Sequence, residues 1–354
     1  MYSQKRKKRP LALKLFLYAL LLLAFASAGT AIFFWHMAFR PNVTAGNAVT
    51  ADFYIPTGSD MEKVKGLLKE DDLISNSSTF KWTAARKNYH NNVHPGRYRL
   101  TDGMSNNDLV NLLRSGNQTP VNLVFISHRT VGDIAAAVAR QIEADSACIA
   151  ELAFDEKFLE TIGFDTAGVP GLFIPNTYQL YWNTSPRQFY LRMKREYDRF
   201  WEGERDEKRK KLGLERAEVS TLASIVSEET AMVDEMPVIA GVYLNRLQRG
   251  MRLQADPTVK YALGDFTVNR ILRVDLGVDS PYNTYLYGGL PPGPITIPPV
   301  QAIDAVLNAQ KHDYLYFSAR EDFSGYHRFA RTLAEHNRNA RLYQNALNQR
   351  RVFR

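Results

Sequence analysis

The strongest constraint on this chain is an almost wholly apolar run, Leu15 to Ala38, broken only by Ser27, Thr30 and His36 among smaller residues, with a cluster of basic residues before it. As a helix the run is about 36 Å long, enough to cross a hydrocarbon layer of about 30 Å with some tilt. Tyr18 and Trp35 lie toward its two ends, where interfacial aromatics gather. The reading is a transmembrane helix over 15–38, preceded by a basic cytoplasmic tail (1–14) and followed by an exported bulk. A cleaved signal peptide ending at Ala26-Ser27-Ala28 is the alternative. The apolar run continues through Ile32 to Trp35, longer than a signal h-region.

Placing the charge disposes of a second class. The chain has 354 residues and a formal net charge of +8. Residues 1–40 contain Lys5, Arg6, Lys7, Lys8, Arg9, Lys14 and Arg40 and no acid, leaving +1 for everything after Arg40. A nucleic-acid reading of the basic charge therefore loses most of its footing in the bulk of the chain. Cys148 is the single cysteine, so no intrachain disulfide forms. No His/Cys cluster has zinc spacing, and neither a dinucleotide-binding nor a Walker glycine motif occurs. No metal or cofactor is expected.

Residues 39–50 read as a short polar linker. Between Phe53 and Ile142 a strand, a turn with a small polar cap and a short amphipathic helix recur three times. The strands are Asp52–Pro56, Arg97–Leu100 and Val121–Ile126. This predicts a small α+β module over 51–150, with the remainder, 151–354, a larger α+β domain. Gly171–Tyr178 reads as a packed loop. Residues 280–299 hold so many Pro and Gly that they cannot be helix interior or central strand. Long ordered loops of this kind are usually functional, and Tyr282, Asn283, Thr284 and Tyr285 are side chains suited to sugar rings and hydroxyls. Asp313–Phe317 and Gly325–Phe329 read as a hairpin. Asp256-Pro257 reads as the N-cap and first residue of a helix.

The chemistry points to Leu222–Thr230. Leu222, Ile225 and Val226 recur on one helical face, and Glu229 falls on the same stripe, while Glu228 lies toward the polar side. A carboxyl drawn into a low dielectric resists ionisation, as a general acid at neutral pH requires. A structural ion pair would place a glutamate there equally well.

These runs resemble the YceG-like (MltG) family of endolytic murein transglycosylases. The likeness is carried by Leu222-Ala-Ser-Ile-Val226 with Glu229-Thr230, Val242-Tyr-Leu-Asn-Arg-Leu247 and Gly250-Met-Arg-Leu-Gln-Ala-Asp-Pro-Thr258. Tyr282-Asn-Thr-Tyr285, Gly289-Leu-Pro-Pro-Gly293, Tyr314-Leu-Tyr-Phe317 and Glu335-His-Asn337 continue it. The resemblance implies an α+β chain with a single N-terminal transmembrane helix, a small LysM-like module and a catalytic domain. It implies a lyase that breaks the MurNAc–GlcNAc β-1,4 bond within peptidoglycan glycan strands and leaves 1,6-anhydro ends, limiting nascent strand length. The catalytic residue it implies is Glu229, with Glu228 in reserve; Ser227 stands at the first glutamate position of the family's pattern and removes it as a candidate. Asn176 stands where the family usually has Asp, which makes that stretch structural support. Substrate-binding roles fall to Asn245, Gln254, Asp256, Thr258, Tyr282, Asn283, Thr284 and Tyr285. The expected partners are glycan strands, the membrane and peptidoglycan synthases. The expected location is the inner membrane, single-pass, with the N-terminus cytoplasmic and the catalytic domain outside. The alternatives are a non-catalytic wall-binding scaffold and a hydrolytic muramidase.

Overall fold

The computed structural model describes residues 11–266 and 271–350. The first ten residues of the expected basic tail lie outside the described residues. The chain forms two compact units. One runs from Leu11 to Val121 and takes in Tyr181–Asn183; the other takes the rest of the described residues.

In the first unit, helix α1 (Leu11–Phe39) is long and apolar enough to cross a membrane; its most apolar 18 residues have a mean hydropathy of 2.2 and none of them is buried. Strand β1 (Thr50–Ile55) is followed by α2 (Met61–Glu70), α3 (Ser77–Arg86), β2 (Gly96–Thr101) and α4 (Asn106–Ser115). β1 and β2 pair antiparallel with Phe53 opposite Tyr98. Alternate residues point inward, so Phe53, Ile55, Tyr98 and Leu100 are fully buried with Val64, Leu68 and Phe80 from the helices. Asp60, Asn76 and Ser105 each cap the next helix with a side-chain oxygen.

The stretch expected to be a linker is built into this unit. Val43 is buried in its core. Pro41 bridges to Ser105 and Val43 to Ile74. The buried Asn42 amide donates to Asn106 Oδ1 at 2.7 Å, and its Oδ1 accepts the Asn76 N–H at 2.8 Å. A buried amide must be paired, and here the pairing joins the end of α1 to two helices of the module.

The second unit begins with β3 (Val121–Phe125), α5 (Val131–Ala139), α6 (Ser146–Glu151) and α7 (Glu156–Thr161). The third strand–helix repeat therefore packs here and not with the first two. The reason is its partner: β3 pairs with β4 (Asn176–Leu180), and Phe125 sits on Tyr178 and Phe173 with centroids 5.5 and 6.4 Å apart. The segment read as a packed loop thus supplies a strand. Helices α8 (Pro186–Trp201), α9 (Glu204–Leu212), α10 (Arg216–Glu229), α11 (Met236–Gln248), α12 (Asp256–Leu263) and α13 (Val300–Leu307) follow. Strands β5 (Tyr316–Ala319) and β6 (His327–Ala330) form the expected hairpin, and α14 (Leu333–Gln349) lies against both.

Helix α10 is the centre of this unit, in contact with α9, α11, α12 and α13. Val219 to Val226 are all buried on it. The loop 280–299 is free of helix and strand, as its prolines require. It is tied to α10 where Ile295 N–H donates to Ser224 Oγ at 3.0 Å. At Gly293 an added Cβ would lie 1.9 Å from the Ala167 carbonyl oxygen, so that close approach admits only glycine.

Candidate functional site

Glu229 is the last residue of α10. Ending the helix there brings its carboxyl out of the buried stripe and into a pocket of about 340 Å³. The wall opposite comes from α11: Tyr243 and Arg246, one turn apart on the same face. Gln254, Asp256 and Tyr285 line a second side, and Tyr316, Phe317, Leu333 and His336 a third.

The geometry around Glu229 favours a neutral acid at moderate pH. Tyr243 donates its hydroxyl to Glu229 Oε1 at 2.6 Å. Burial pushes the Glu229 carboxyl up to about 7. The Tyr243 hydrogen bond and the Arg246 cation oppose that shift, and the Asp256 and Glu228 charges reinforce it. Tyr243 is itself buried and beside a carboxyl, so it holds its proton well above the ordinary tyrosine range and remains a donor. Arg246 is 8% exposed, and its hydrogen bonds go to neutral acceptors. Its Nε donates to the Leu315 carbonyl at 2.6 Å and its Nη1 to the Leu253 carbonyl at 2.7 Å. The guanidinium also lies over the Tyr316 ring at 5.0 Å. A buried cation held by carbonyls keeps its charge available to the pocket.

The turn after Glu229 is clamped from behind. Buried Glu235 accepts the His327 backbone N–H at 2.7 Å, meets His327 Nδ1 at 2.7 Å, and accepts the Thr230 hydroxyl at 3.3 Å. These bonds join the end of α10 to the β5–β6 hairpin. The same hairpin presents Phe317, whose ring meets Tyr243 edge-on at 5.9 Å.

The sequence-expected residues divide sharply. Glu229, Gln254, Asp256 and Tyr285 meet in the pocket. Glu228 does not line it; its carboxylate pairs with Arg129 at 3.3 Å. Asp256 is not the helix cap expected of it: Ala255 holds that position, and Asp256 Oδ1 accepts the Tyr285 hydroxyl at 2.6 Å. Gln254 adopts φ +51°, a left-handed conformation rare for a residue with a side chain. Its N–H bonds the Thr284 carbonyl at 3.1 Å, which turns the chain into the pocket wall.

Asn245, Thr258, Tyr282, Asn283 and Thr284 lie elsewhere. Asn245 donates to the His312 and Tyr314 carbonyls at 2.7 and 3.0 Å. Thr258 and Thr284 are buried against each other, hydroxyl to hydroxyl at 2.9 Å. Asn283 is fully buried and donates to Leu276 O and Val278 O at 3.0 and 2.8 Å. Tyr282 packs on Tyr261 with centroids 4.7 Å apart.

Tyr243, Arg246 and His336 were not singled out as site residues from the sequence. An arginine on an otherwise buried helical face, one turn from a tyrosine, was the available signal for the first two. His336 stacks on Tyr316 at 5.5 Å, and burial and the nearby Arg246 cation hold its pKa low.

A carboxylic acid with its pKa raised to about 7, beside a fixed phenol and a fixed cation, has the properties a general acid needs. The comparisons with known proteins agree on one family. The YceG-like family model matches residues 53–342. The endolytic murein transglycosylase of Bacillus subtilis is 30% identical over 325 residues, covering 87% of this chain and 89% of its own. That of Streptococcus pneumoniae is 30% identical over 324 residues, and the chain spans 58% of its length. A crystal structure of a YceG-like protein from Listeria monocytogenes is 31% identical, with a TM-score of 0.53, covering 82% of this chain and 98% of that one. The chain belongs to the YceG-like family.

Proposed function

We propose that this chain is a membrane-anchored peptidoglycan lytic transglycosylase that cuts within glycan strands, with Glu229 as its single acid and base. The observation that carries the proposal is the Glu229 carboxyl, raised to about 7 and aimed into the pocket by Tyr243. The relatives named endolytic murein transglycosylase supply the substrate class.

The reaction needs one group in two states. Protonated Glu229 gives its proton to the glycosidic oxygen as the bond from the MurNAc anomeric carbon breaks and GlcNAc leaves with a free 4-hydroxyl. The MurNAc 6-hydroxyl oxygen then bonds to that carbon, and its proton returns to the Glu229 carboxylate. The product ends in 1,6-anhydro-MurNAc and no water is consumed. The Tyr243 hydrogen bond and the Arg246 charge stabilise the carboxylate formed midway, while burial favours the acid that starts and ends the cycle. An acid so placed is worth about 10²–10⁴ in rate.

The β1-α2-α3-β2 unit acts as the LysM-like wall-binding module, and α1 as the single-pass anchor with its C-terminal side facing the wall. Glycan strands being synthesised at that membrane are the substrate, with the synthases that make them as neighbours.

A second reading has an observation of its own. Asp256 lines the same pocket, and a glycosidase with two carboxylates can direct water to the anomeric carbon. Mass spectrometry of products from purified un-cross-linked glycan strands separates the readings. Anhydro ends from the full chain and none from Glu229→Gln support the lytic reaction. Reducing ends that vanish in Asp256→Asn make it a muramidase. No cleavage by the full chain leaves a wall-binding scaffold.

A further inference from the structure

The union of α1 with the module has a consequence for depth in the membrane. It rests on α1 crossing a bilayer. A hydrocarbon layer of about 30 Å takes up about 20 helical residues. Counted from Leu15, after the last charge of the N-terminal end, the layer ends near Phe34. Phe34 is stacked face to face on Trp82 of α3, with centroids 5.0 Å apart and planes 6° from parallel. The Arg86 guanidinium lies over both rings, at 5.3 Å from Trp82 and 6.0 Å from Phe34. Asn106 Nδ2 donates to the Met37 carbonyl in the last turn of α1 at 2.9 Å. The module is thus fixed at the level where acyl chains give way to headgroups, and Trp82 with Arg86 is the pairing that layer favours.

At the same level a cavity of about 470 Å³ opens between the end of α1 and the start of α3. Its polar wall has unspent donors. Asn42, Thr79 and Asn106 are engaged with one another and with backbone. Arg40 and His36 have no side-chain hydrogen bond or ion pair among the described residues, and Asn76 spends its oxygen on the helix cap and keeps its amide hydrogens. A cation, an imidazole and an amide around a space open to the headgroup layer match a phosphodiester.

We propose that this cavity holds the phosphate of a membrane phospholipid, seating the module on the bilayer through Trp82 and Arg40. The module is then a membrane-surface element held at a set height, not a domain on a tether.

The test uses the full chain in detergent, titrated with phosphatidylglycerol and followed by native mass spectrometry. The expected result is one retained lipid, not displaced by millimolar inorganic phosphate and not replaced by diacylglycerol. Arg40→Gln, at an exposed position, is expected to keep the wild-type melting temperature and lower retention about tenfold, the worth of one charge-assisted contact. Equal retention in Arg40→Gln, or equal retention of diacylglycerol, overturns the proposal. Displacement by inorganic phosphate also overturns it, in favour of a soluble-anion site.

The seating is read by tryptophan quenching in nanodiscs with lipids brominated at defined acyl depths. Emission is assigned by difference from Trp82→Phe and Trp35→Phe. Both tryptophans are expected to respond most to bromine close to the headgroup. Quenching of Trp35 with none of Trp82 overturns the seating alone. Quenching of neither places α1 outside the bilayer, and the membrane-anchor reading falls together with this proposal.

Discussion

The pocket around Glu229 and the loop 280–299 are both rich in tyrosine, amide and hydroxyl groups, yet they spend them differently. In the loop, Asn283, Thr284 and their neighbour Thr258 are buried and bonded to one another or to backbone. In the pocket, among the described residues, Glu229 keeps one carboxyl oxygen clear of the Tyr243 hydrogen bond, Arg246 keeps its charge unmatched by a carboxylate contact, and His336 Nδ1 has no hydrogen-bond partner. Polar residues that are fully satisfied hold a shape. Those left with spare valence can meet a substrate.

The sharpest break in that comparison comes from Glu229→Gln. It is expected to lower turnover of glycan strands by about 10²–10⁴, read as anhydro product per unit time. The same change tests the cost of the site. A carboxyl raised from 4.5 to about 7 binds its proton more tightly in the folded state. Its contribution is present at acid pH and is lost as pH rises from the unfolded toward the folded value. Glu229→Gln should therefore be more stable than wild type at pH 8, by up to about 3 kcal/mol, and lose that advantage at pH 4. Denaturant melts at the two pH values check this. An advantage that persists at pH 4 would remove burial as its cause.

Asn283→Ala is the counterpart in the loop. It strands two carbonyls and the Tyr285 N–H that its oxygen accepts at 3.0 Å. The expected loss is about 2–3 kcal/mol of stability, with turnover per folded molecule within a few-fold of wild type. Lost turnover at an unchanged melting temperature would move Asn283 to the substrate side of the comparison.

Two pocket variants should shift the pH profile in opposite directions. Activity that needs protonated Glu229 falls as pH rises through about 7. Tyr243→Phe removes a bond that favours the charged form, so the alkaline limb of kcat/KM moves to higher pH, with about tenfold lower rate from lost orientation. Asp256→Asn removes a charge that favours the neutral form, so the limb moves to lower pH. Shifts of the same sign would show that Glu229 is not the titrating group. The smallest effect belongs to Glu228→Gln, less than about twofold in rate, because its pair with Arg129 is partly exposed.

Much of this protein is legible as pattern. The apolar run before Arg40 marks a helix long and apolar enough to cross a membrane. Alternation gives the strands of the module, and the stripe through Leu222, Ile225 and Val226 points to Glu229, not Glu228, as the carboxyl in apolar surroundings; Glu229 is the one of the two that lines the pocket. The prolines of 280–299 exclude regular structure, and 313–329 reads as a hairpin, which forms a few residues later over 316–330. These are local consequences of side-chain period and backbone sterics, which neighbouring residues already carry.

The remainder depended on partners far along the chain. Residues 39–50 read as a short polar linker; in the fold Asn42 finds its partners at Asn76 and Asn106. The third repeat read as part of the module until β4, more than fifty residues on, claimed its strand. Asp256 looked like a helix cap and instead meets Tyr285. Asn245 and Asn283 looked like sugar-binding amides and instead satisfy buried carbonyls. Composition and period determine which segments can form and which face each buries. Whether a polar side chain is spent or spare depends on which distant backbone groups packing leaves unpaired, and only the tertiary structure decides that.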